Sequence, residues 1–321
     1  MQAHEFNQRG TMFFHVPTDL SVGAKVAAFD IDWTVTHGER HLYPREPDDI
    51  QLLPRRLERL RQMVTDGYTV VFFTNQSAVS PAERHKRVHR VATLLGKVGF
   101  PCCAFIACGK DKENAPDLYR KPSRGMWDAM LEFAPEGVEE AFYVGDALGR
   151  PQDHSDADRG FAEACNIPFY PPEEFFGCPE PVPFPEGQKH MVVFVGAPGS
   201  GKTEYRRGHL TPNGFVHVSR DELKTRSRVE RAVRYSLQSG TKNVVIDNTS
   251  PARSDRKVFY DQATEHGYKV TVIYFVRDGH GWNRLRTDDR VPDMAYHSFF
   301  KKLDPPTEEE LPEDGRLFYI D

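Results

Sequence analysis

"AAFDIDWTVT", residues 27–36, leads small and apolar side chains into Asp30, sets a second acid, Asp32, two positions on, and continues through Trp33 and Thr34. A buried strand that ends in carboxylates reads as the carboxyl edge of an open α/β sheet, where such folds place their ligands. The runs "TVVFF" (69–73), "CCAFIA" (102–107) and "AFYVGD" (141–146) repeat the apolar strand pattern. Between them, "PRRLERLRQMVTDG" (54–67) and "PAERHKRVHRVATLLGKVG" (81–99) space apolar residues at three and four and end near Gly, as amphipathic helices do. This rhythm predicts a parallel sheet with helices on both faces. Residues 171–185, "PPEEFFGCPEPVPFP", hold six prolines and predict a semi-rigid linker, free to pack on a domain surface, that builds neither helix nor interior strand. The rhythm restarts in "MVVFVG" (191–196), "FVHVS" (215–219), "NVVIDN" (243–248) and "KVTVIYFV" (269–276). The expected fold class is α/β with two doubly wound parallel-sheet domains. The expected division is a short extension over 1–23, a first domain over 24–170, a linker over 171–189 and a second domain over 190–321. The first 22 or so residues carry no strong pattern.

A chain of 321 residues is long enough for two domains. Its 39% hydrophobic and 28% charged content fits a globular chain. No apolar run approaches the ~20 residues needed to span a bilayer, and the N-terminus lacks a secretory pattern, so no membrane partner is expected. The five cysteines show no paired CxxC spacing, which predicts reduced thiols in an intracellular compartment. The net charge of −5 gives no global nucleic-acid signal. Base is instead concentrated in "ERHKRVHR" (83–90) and at Arg226, Arg228, Arg231 and Arg234, as a groove or as solvated helix faces.

Asp30 and Asp32 point the same way from an extended chain. They could hold a divalent cation or divide the roles of nucleophile and proton donor; solvated strand-end acids are the plain alternative. Thr74, Asn75 and Gln76 end the strand "VVFFTNQ", Arg120 and Lys121 precede a helix in "LYRKPSRGMWD", and Asp146 ends the strand of "FYVGDALGR". "GAPGSGKT" (196–203) matches GxxxxGK[ST] between a strand and a plausible helix. Gly196, Gly199, Ser200 and Gly201 would cradle phosphates, Lys202 would neutralise them, and Thr203 would ligate Mg²⁺. Asp221, in "VHVSRDEL" (216–223), is placed to accept a proton from an attacking hydroxyl, or is a first-turn helix acid. Asp247 and Asn248 end another strand and are candidate substrate-binding residues. Arg284, Arg286 and Arg290 lie in a stretch that looks like a phosphoryl-contacting lid, with Arg284 taken as the nucleotide contact.

Acid, hydroxyl, lysine and acid at strand ends in this order resemble the haloacid-dehalogenase phosphatase motifs. The resemblance implies Asp30 as the nucleophile that forms an aspartyl-phosphate and Asp32 as general acid and then base. It implies Thr74 and Lys121 as phosphoryl-binding residues, with Thr34, Asn75 and Arg120 as further substrate contacts. It also implies a Mg²⁺ site of Asp30, Asp146 and the backbone carbonyl of Asp32. Trp33 departs from the family, which usually has Gly there. The indole either contributes to the rim of the site, stacking on a base, or packs on a neighbouring loop; a damaged phosphatase is the third reading.

The two halves together resemble the eukaryotic-type bifunctional polynucleotide kinase 3′-phosphatases, from about residue 24 to nearly the C-terminus. "HSDADRGFAEACNIPFYPPEEFF" (154–176) fits that family's phosphatase end and linker. Animal members begin with a forkhead-associated domain, and the fewer than 25 residues ahead of the phosphatase here are too few for one, so that recruitment route is not expected. The lid stretch looks shorter than the family's. The resemblance implies removal of a 3′-phosphate and ATP-dependent phosphorylation of a 5′-hydroxyl at DNA ends, with RNA left open, by a monomer in the nucleus that uses Mg²⁺ and ATP. The alternatives are a small-molecule phosphatase fused to a nucleoside or sugar kinase, and an end-binding protein with a silent phosphatase site.

Overall fold

A computed structural model describes residues 4–38, 46, 49–53, 55–78, 80–110, 116–151, 153–177, 181–241, 243–276 and 291–320. The chain divides into two compact units, Met1–Cys178 and Pro179–Asp321. No helix among the described residues is long and apolar enough to cross a membrane.

The first unit contains β1 (Asn7–Arg9), β2 (Met12–His15), β3 (Lys25–Phe29), β4 (Thr36–Gly38), β5 (Ile50–Leu52), α1 (Arg56–Thr65), β6 (Thr69–Asn75), α2 (Pro81–Val98), β7 (Cys103–Ala107), α3 (Gly125–Leu131), β8 (Glu140–Val144), α4 (Ala157–Cys165), β9 (Phe169–Tyr170) and α5 (Pro172–Phe175). Its seven-stranded sheet runs β1-β2-β7-β6-β3-β8-β9. β3 pairs in parallel with β6 and β8, so the chain leaves the central strand first to one side and later to the other. That reversal opens a crevice at the carboxyl ends of these strands. Alternation within the strands builds two cores. Val26, Ala28, Val71 and Phe73 face one cluster with Trp127 and Phe161. Ala27, Phe29, Val70 and Phe72 face another with Leu60, Leu94 and Leu95. A sheet buried on both faces explains why its strands read as continuous apolar runs.

Two features depart from the sequence reading. β1 and β2 form a hairpin whose second strand pairs antiparallel with β7, so the parallel core carries an antiparallel edge. Its strands of three and four residues, the first fully exposed, are too short to show a period. In addition, the expected linker begins inside the first unit. Pro172 takes the first helical position of α5, where its missing N–H costs nothing. Phe175 and Phe176 then pack on Phe29, and the guanidiniums of Arg59 and Arg56 lie over their rings at 4.8 and 4.1 Å.

The second unit contains β10 (His190–Gly196), α6 (Lys202–Tyr205), β11 (Phe215–Val218), α7 (Arg220–Leu223), α8 (Arg226–Gln238), β12 (Asn243–Ile246), α9 (Arg253–Glu265), β13 (Lys269–Phe275), α10 (Asp293–Lys302) and β14 (Arg316–Ile320). Its sheet, in the order β11-β12-β10-β13-β14, is wholly parallel. β14 was not expected, because the acidic run 305–315 before it masks a five-residue strand.

Candidate active sites

Asp30 lies one residue beyond β3, and its backbone N–H donates to the Val144 carbonyl at the end of β8 at 2.9 Å. Its Oδ1 accepts the Lys121 ammonium at 2.5 Å. Lys121 is 4% exposed and also donates to Tyr143 Oη at 2.8 Å and Asp158 Oδ1 at 2.7 Å, which accounts for all three of its protons. Oxygens of Asp30, Asp146 and Asp158 lie within 4.8 Å of one another. Burial, opposed by Lys121 and reinforced by Asp158 and Asp32, pushes the Asp30 carboxyl up to about 7. Burial first, then Asp158 and Asp30, raise Asp146 well above the ordinary carboxylate range. Hard oxygen donors crowded in this way fit a small divalent cation. Asp158 is the least available, because Lys121 and Tyr143 share its Oδ1 and the Ala147 N–H holds its Oδ2 at 3.0 Å. Asp30 Oδ2 accepts no hydrogen bond from any described residue.

Asp32 sits in a different environment from Asp30. Arg90 Nη2 donates to its two oxygens at 3.1 and 2.8 Å, and Gln76 Nε2 donates to Oδ2 at 2.7 Å. Its carboxylate is outside the three-acid cluster. Between Asp32 and Thr34, Trp33 adopts φ 60°, in the left-handed region that costs a non-glycine residue about 1–2 kcal/mol. Hydrogen bonds from Trp33 N to Thr36 O and from Val35 N and Thr36 N to Ile31 O close this turn.

The remaining expected substrate contacts in this unit have protein partners. Thr34 is fully buried, and its hydroxyl donates to Asp146 Oδ1 at 3.4 Å. Asn75 is engaged by the Lys121 backbone: its Nδ2 donates to the Lys121 carbonyl, and its Oδ1 accepts the Lys121 N–H. Asn75 therefore fixes the lysine. Arg120 donates to Ser77 Oγ at 2.7 Å. Thr74 is buried, and its Oγ1 accepts from Gln76 Nε2 at 2.8 Å.

In the second unit, β10 delivers the chain into the loop 197–201, and Gly199 and Gly201 take φ 77° and 94°, which glycine adopts without a Cβ clash. Lys202 Nζ folds back on the loop carbonyls of Gly196 and Ala197 at 3.0 and 2.6 Å and on Ser200 Oγ at 3.4 Å, while Thr203 is exposed. Tyr296 of α10 donates to the Pro198 carbonyl. Asp247, just past β12, is 9% exposed and meets Arg206 Nε at 3.2 Å and His217 at 3.5 Å. Burial alone would raise its pKa; the neighbouring His217, the charge of Lys202 and the hydrogen bond from Arg206 win and lower it. Asn248 Oδ1 accepts the Arg220 N–H at 2.8 Å, tying β12 to the start of α7. Ser219 caps α7 by accepting the Asp221 N–H, which leaves Asp221 in the exposed first turn. Arg284, Arg286 and Arg290 lie outside the described residues.

The sequence reading missed Asp158, Tyr143, Gln76 and Arg90 as parts of the first site. Asp158 falls in the first turn of α4, where an acid looks like an ordinary dipole partner. Arg90 sits in a basic run, yet it shares a helical stripe with the buried Val91, Leu94, Leu95 and Val98. A cation at an apolar position was the available signal.

A family model described as "Polynucleotide kinase 3 phosphatase" matches residues 25–176, and one described as "AAA domain" matches residues 191–291. The chain is 29% identical to the bifunctional polynucleotide phosphatase/kinase of Schizosaccharomyces pombe, across 89% of this chain and 77% of that protein. It is 27% identical to a putative bifunctional polynucleotide phosphatase/kinase of Acanthamoeba polyphaga mimivirus, across 89% and 82%. An uncharacterised 20.8 kDa protein of Autographa californica nuclear polyhedrosis virus is 34% identical across 52% of this chain and 94% of its own length. With a strand-end aspartate–lysine site in one unit and a phosphate-binding loop in the next, the chain has the two-domain architecture of the bifunctional polynucleotide phosphatase/kinases to which it is similar.

Proposed function

We propose that this chain heals DNA ends, removing a 3′-phosphate in its first unit and phosphorylating a 5′-hydroxyl in its second. The observation that carries the phosphatase half is the pairing of Asp30 with the buried Lys121 at the carboxyl end of the central strand. Asp30 Oδ2 attacks phosphorus, and the P–O3′ bond breaks with its electron pair on O3′. Asp32 gives that oxygen a proton, leaving a 3′-hydroxyl and an aspartyl-phosphate on Asp30. Asp32 then takes a proton from water, whose oxygen attacks the same phosphorus. Inorganic phosphate leaves, and the Asp30 carboxylate is restored. Lys121 and Thr74 carry the charge that develops on the equatorial oxygens. Asp30, Asp146 and the Asp32 carbonyl would hold Mg²⁺, which when bound neutralises phosphoryl charge and lets Asp30 approach a dianion.

In the second unit, Asp221 accepts the proton of the attacking 5′-hydroxyl as its oxygen bonds to the γ-phosphorus of ATP and ADP departs. The loop from Gly196 to Thr203 holds the phosphates, and Thr203 would ligate the Mg²⁺ that neutralises their charge when bound. Asp247 and Asn248 support the acceptor side, the latter by anchoring α7. An oligonucleotide with a 5′-hydroxyl and a 3′-phosphate, incubated with Mg²⁺ and read by mass, tests the proposal. The expected result is loss of the 3′-phosphate with or without ATP and gain of a 5′-phosphate only with ATP. Turnover of free nucleotides or sugars without any change in the oligonucleotide would overturn it.

A further inference from the structure

Helix α2 carries the basic run 83–90, whose side chains range from exposed, through the half-buried Arg84 and Arg87, to buried. Lys86 is exposed and pairs with Glu46, and His85 and His89 are exposed. Arg90 is 2% exposed and turns inward to the first active site. One nitrogen, Nη2, reaches both Asp32 oxygens and Gln76 Oε1, the last at 2.5 Å. Gln76 closes the ring from the other side, with Nε2 on Asp32 Oδ2 and on Thr74 Oγ1. The Asp32 side chain keeps 23% of its surface open. It is thus gripped from the protein side and free on one side. A guanidinium at a stripe position otherwise filled by Val91, Leu94 and Leu95 is costly to desolvate, and an aliphatic side chain would fill that place without the cost.

We infer that Arg90 is a positioning residue of the phosphatase reaction, which with Gln76 fixes the Asp32 carboxyl for proton delivery to the departing 3′-oxygen. The inference rests on the phosphatase reading above. Asp32 lies beside the left-handed turn at Trp33 and outside the ladder of β3, so the backbone alone does not set its carboxyl. Proton transfer requires the heavy atoms at about 2.6–3.2 Å. As the P–O3′ bond breaks and the proton moves from Asp32 to O3′, the carboxyl becomes a carboxylate facing a cation already in place.

The test exploits the leaving group. Nitrophenolate departs without protonation, whereas an alkoxide such as the nucleotide 3′-oxygen needs it. Values of kcat/KM report only the steps up to departure. Arg90→Met should lower kcat/KM for a 3′-phosphorylated oligonucleotide by roughly 100-fold, within the range of general-acid effects, and lower that for p-nitrophenyl phosphate less than about fivefold. Arg90→Lys should recover roughly tenfold of the oligonucleotide loss. Gln76→Ala should show the same selectivity at about tenfold, which keeps the test decisive should Arg90→Met fail to fold. Equal losses on both substrates, or no loss on the oligonucleotide, would overturn the inference. Wild-type protein that hydrolyses p-nitrophenyl phosphate but no oligonucleotide would sink the end-healing reading instead. The Arg90 comparison then uses glycerol phosphate, another alkoxide leaving group. A selective loss on glycerol phosphate would support the positioning role, and equal losses on it and on p-nitrophenyl phosphate would overturn it.

Discussion

Asp158→Asn is the substitution that most sharply separates the geometry of the first site from its motif. The side chain is 3% exposed and holds Lys121 and Tyr143 on one oxygen and the Ala147 N–H on the other. Asparagine has nearly the same shape but only one accepting oxygen. If that oxygen faces Lys121, the amide meets the Ala147 N–H donor to donor; if it faces Ala147, the amide meets the ammonium. The first orientation loses one hydrogen bond and the second loses those from Lys121 and Tyr143, so the first is favoured; either way one of the two counter-charges of a buried lysine goes. Lys121 keeps Asp30, so the cost stays near that of one charge-assisted bond, about 2–3 kcal/mol. For a unit of this size that lowers the melting temperature by roughly 4–12 °C. The ammonium is then drawn wholly to Asp30, away from the position where it stabilises the phosphoryl group. Loss of one such preorganised donor costs about 100-fold or more. The assay measures 3′-phosphate release and 5′-phosphorylation on the same preparation, with Mg²⁺ titrated. Phosphatase kcat/KM should fall about 100-fold with no recovery at high Mg²⁺, and kinase activity should stay within twofold. Phosphatase activity within threefold of wild type would refute the role given to Asp158, and full recovery at high Mg²⁺ would make it a metal ligand instead.

Three further outcomes are expected. Trp33→Gly relieves a left-handed residue at the cost of extra freedom in the unfolded chain, so the first unit should gain about 0.5–1 kcal/mol in chemical denaturation; a loss would mean that indole packing holds the turn. Gly145→Ala places a Cβ 2.4 Å from Asp158 Cγ and should abolish 3′-phosphate release while sparing the kinase, and near-normal release would show that Asp158 can retreat harmlessly. Mg²⁺ competes with protons on Asp30, which titrates at about 7 when metal-free. At pH 5.5 its apparent affinity should fall roughly 30-fold, so Mg²⁺ should raise the melting temperature of the first unit more at pH 8 than at pH 5.5. Equal shifts at the two pH values would contradict that competition.

Much of this arrangement was legible because both sheets are buried on two faces. "VAAF" after Lys25 and "VVFF" after Thr69 are unbroken apolar runs, and the polar residues that end them, Asp30 and Thr74, stand at the carboxyl edge. The phosphate loop was legible from its glycines, whose positive φ angles the structure contains. Lys121 is not at a strand end and was found only through resemblance. The partners that hold these groups were less visible. Asp158, Gln76 and Arg90 act across sequence separations of 37, 44 and 58 residues, and each resembles something commonplace in its own segment. The β1–β2 hairpin and α5 were hidden by shortness, and by prolines that stop a helix when internal but start one at its first position.

The central claim is that one chain carries two separate chemistries on polynucleotide ends. Asp30→Asn and Lys202→Met, assayed beside wild type on an oligonucleotide with a 5′-hydroxyl and a 3′-phosphate, test it most directly. Asp30→Asn should leave the 3′-phosphate in place and still add a 5′-phosphate from ATP, and Lys202→Met should give the opposite pattern. A folded single variant that loses both activities, or keeps the one its residue is assigned to, would contradict it.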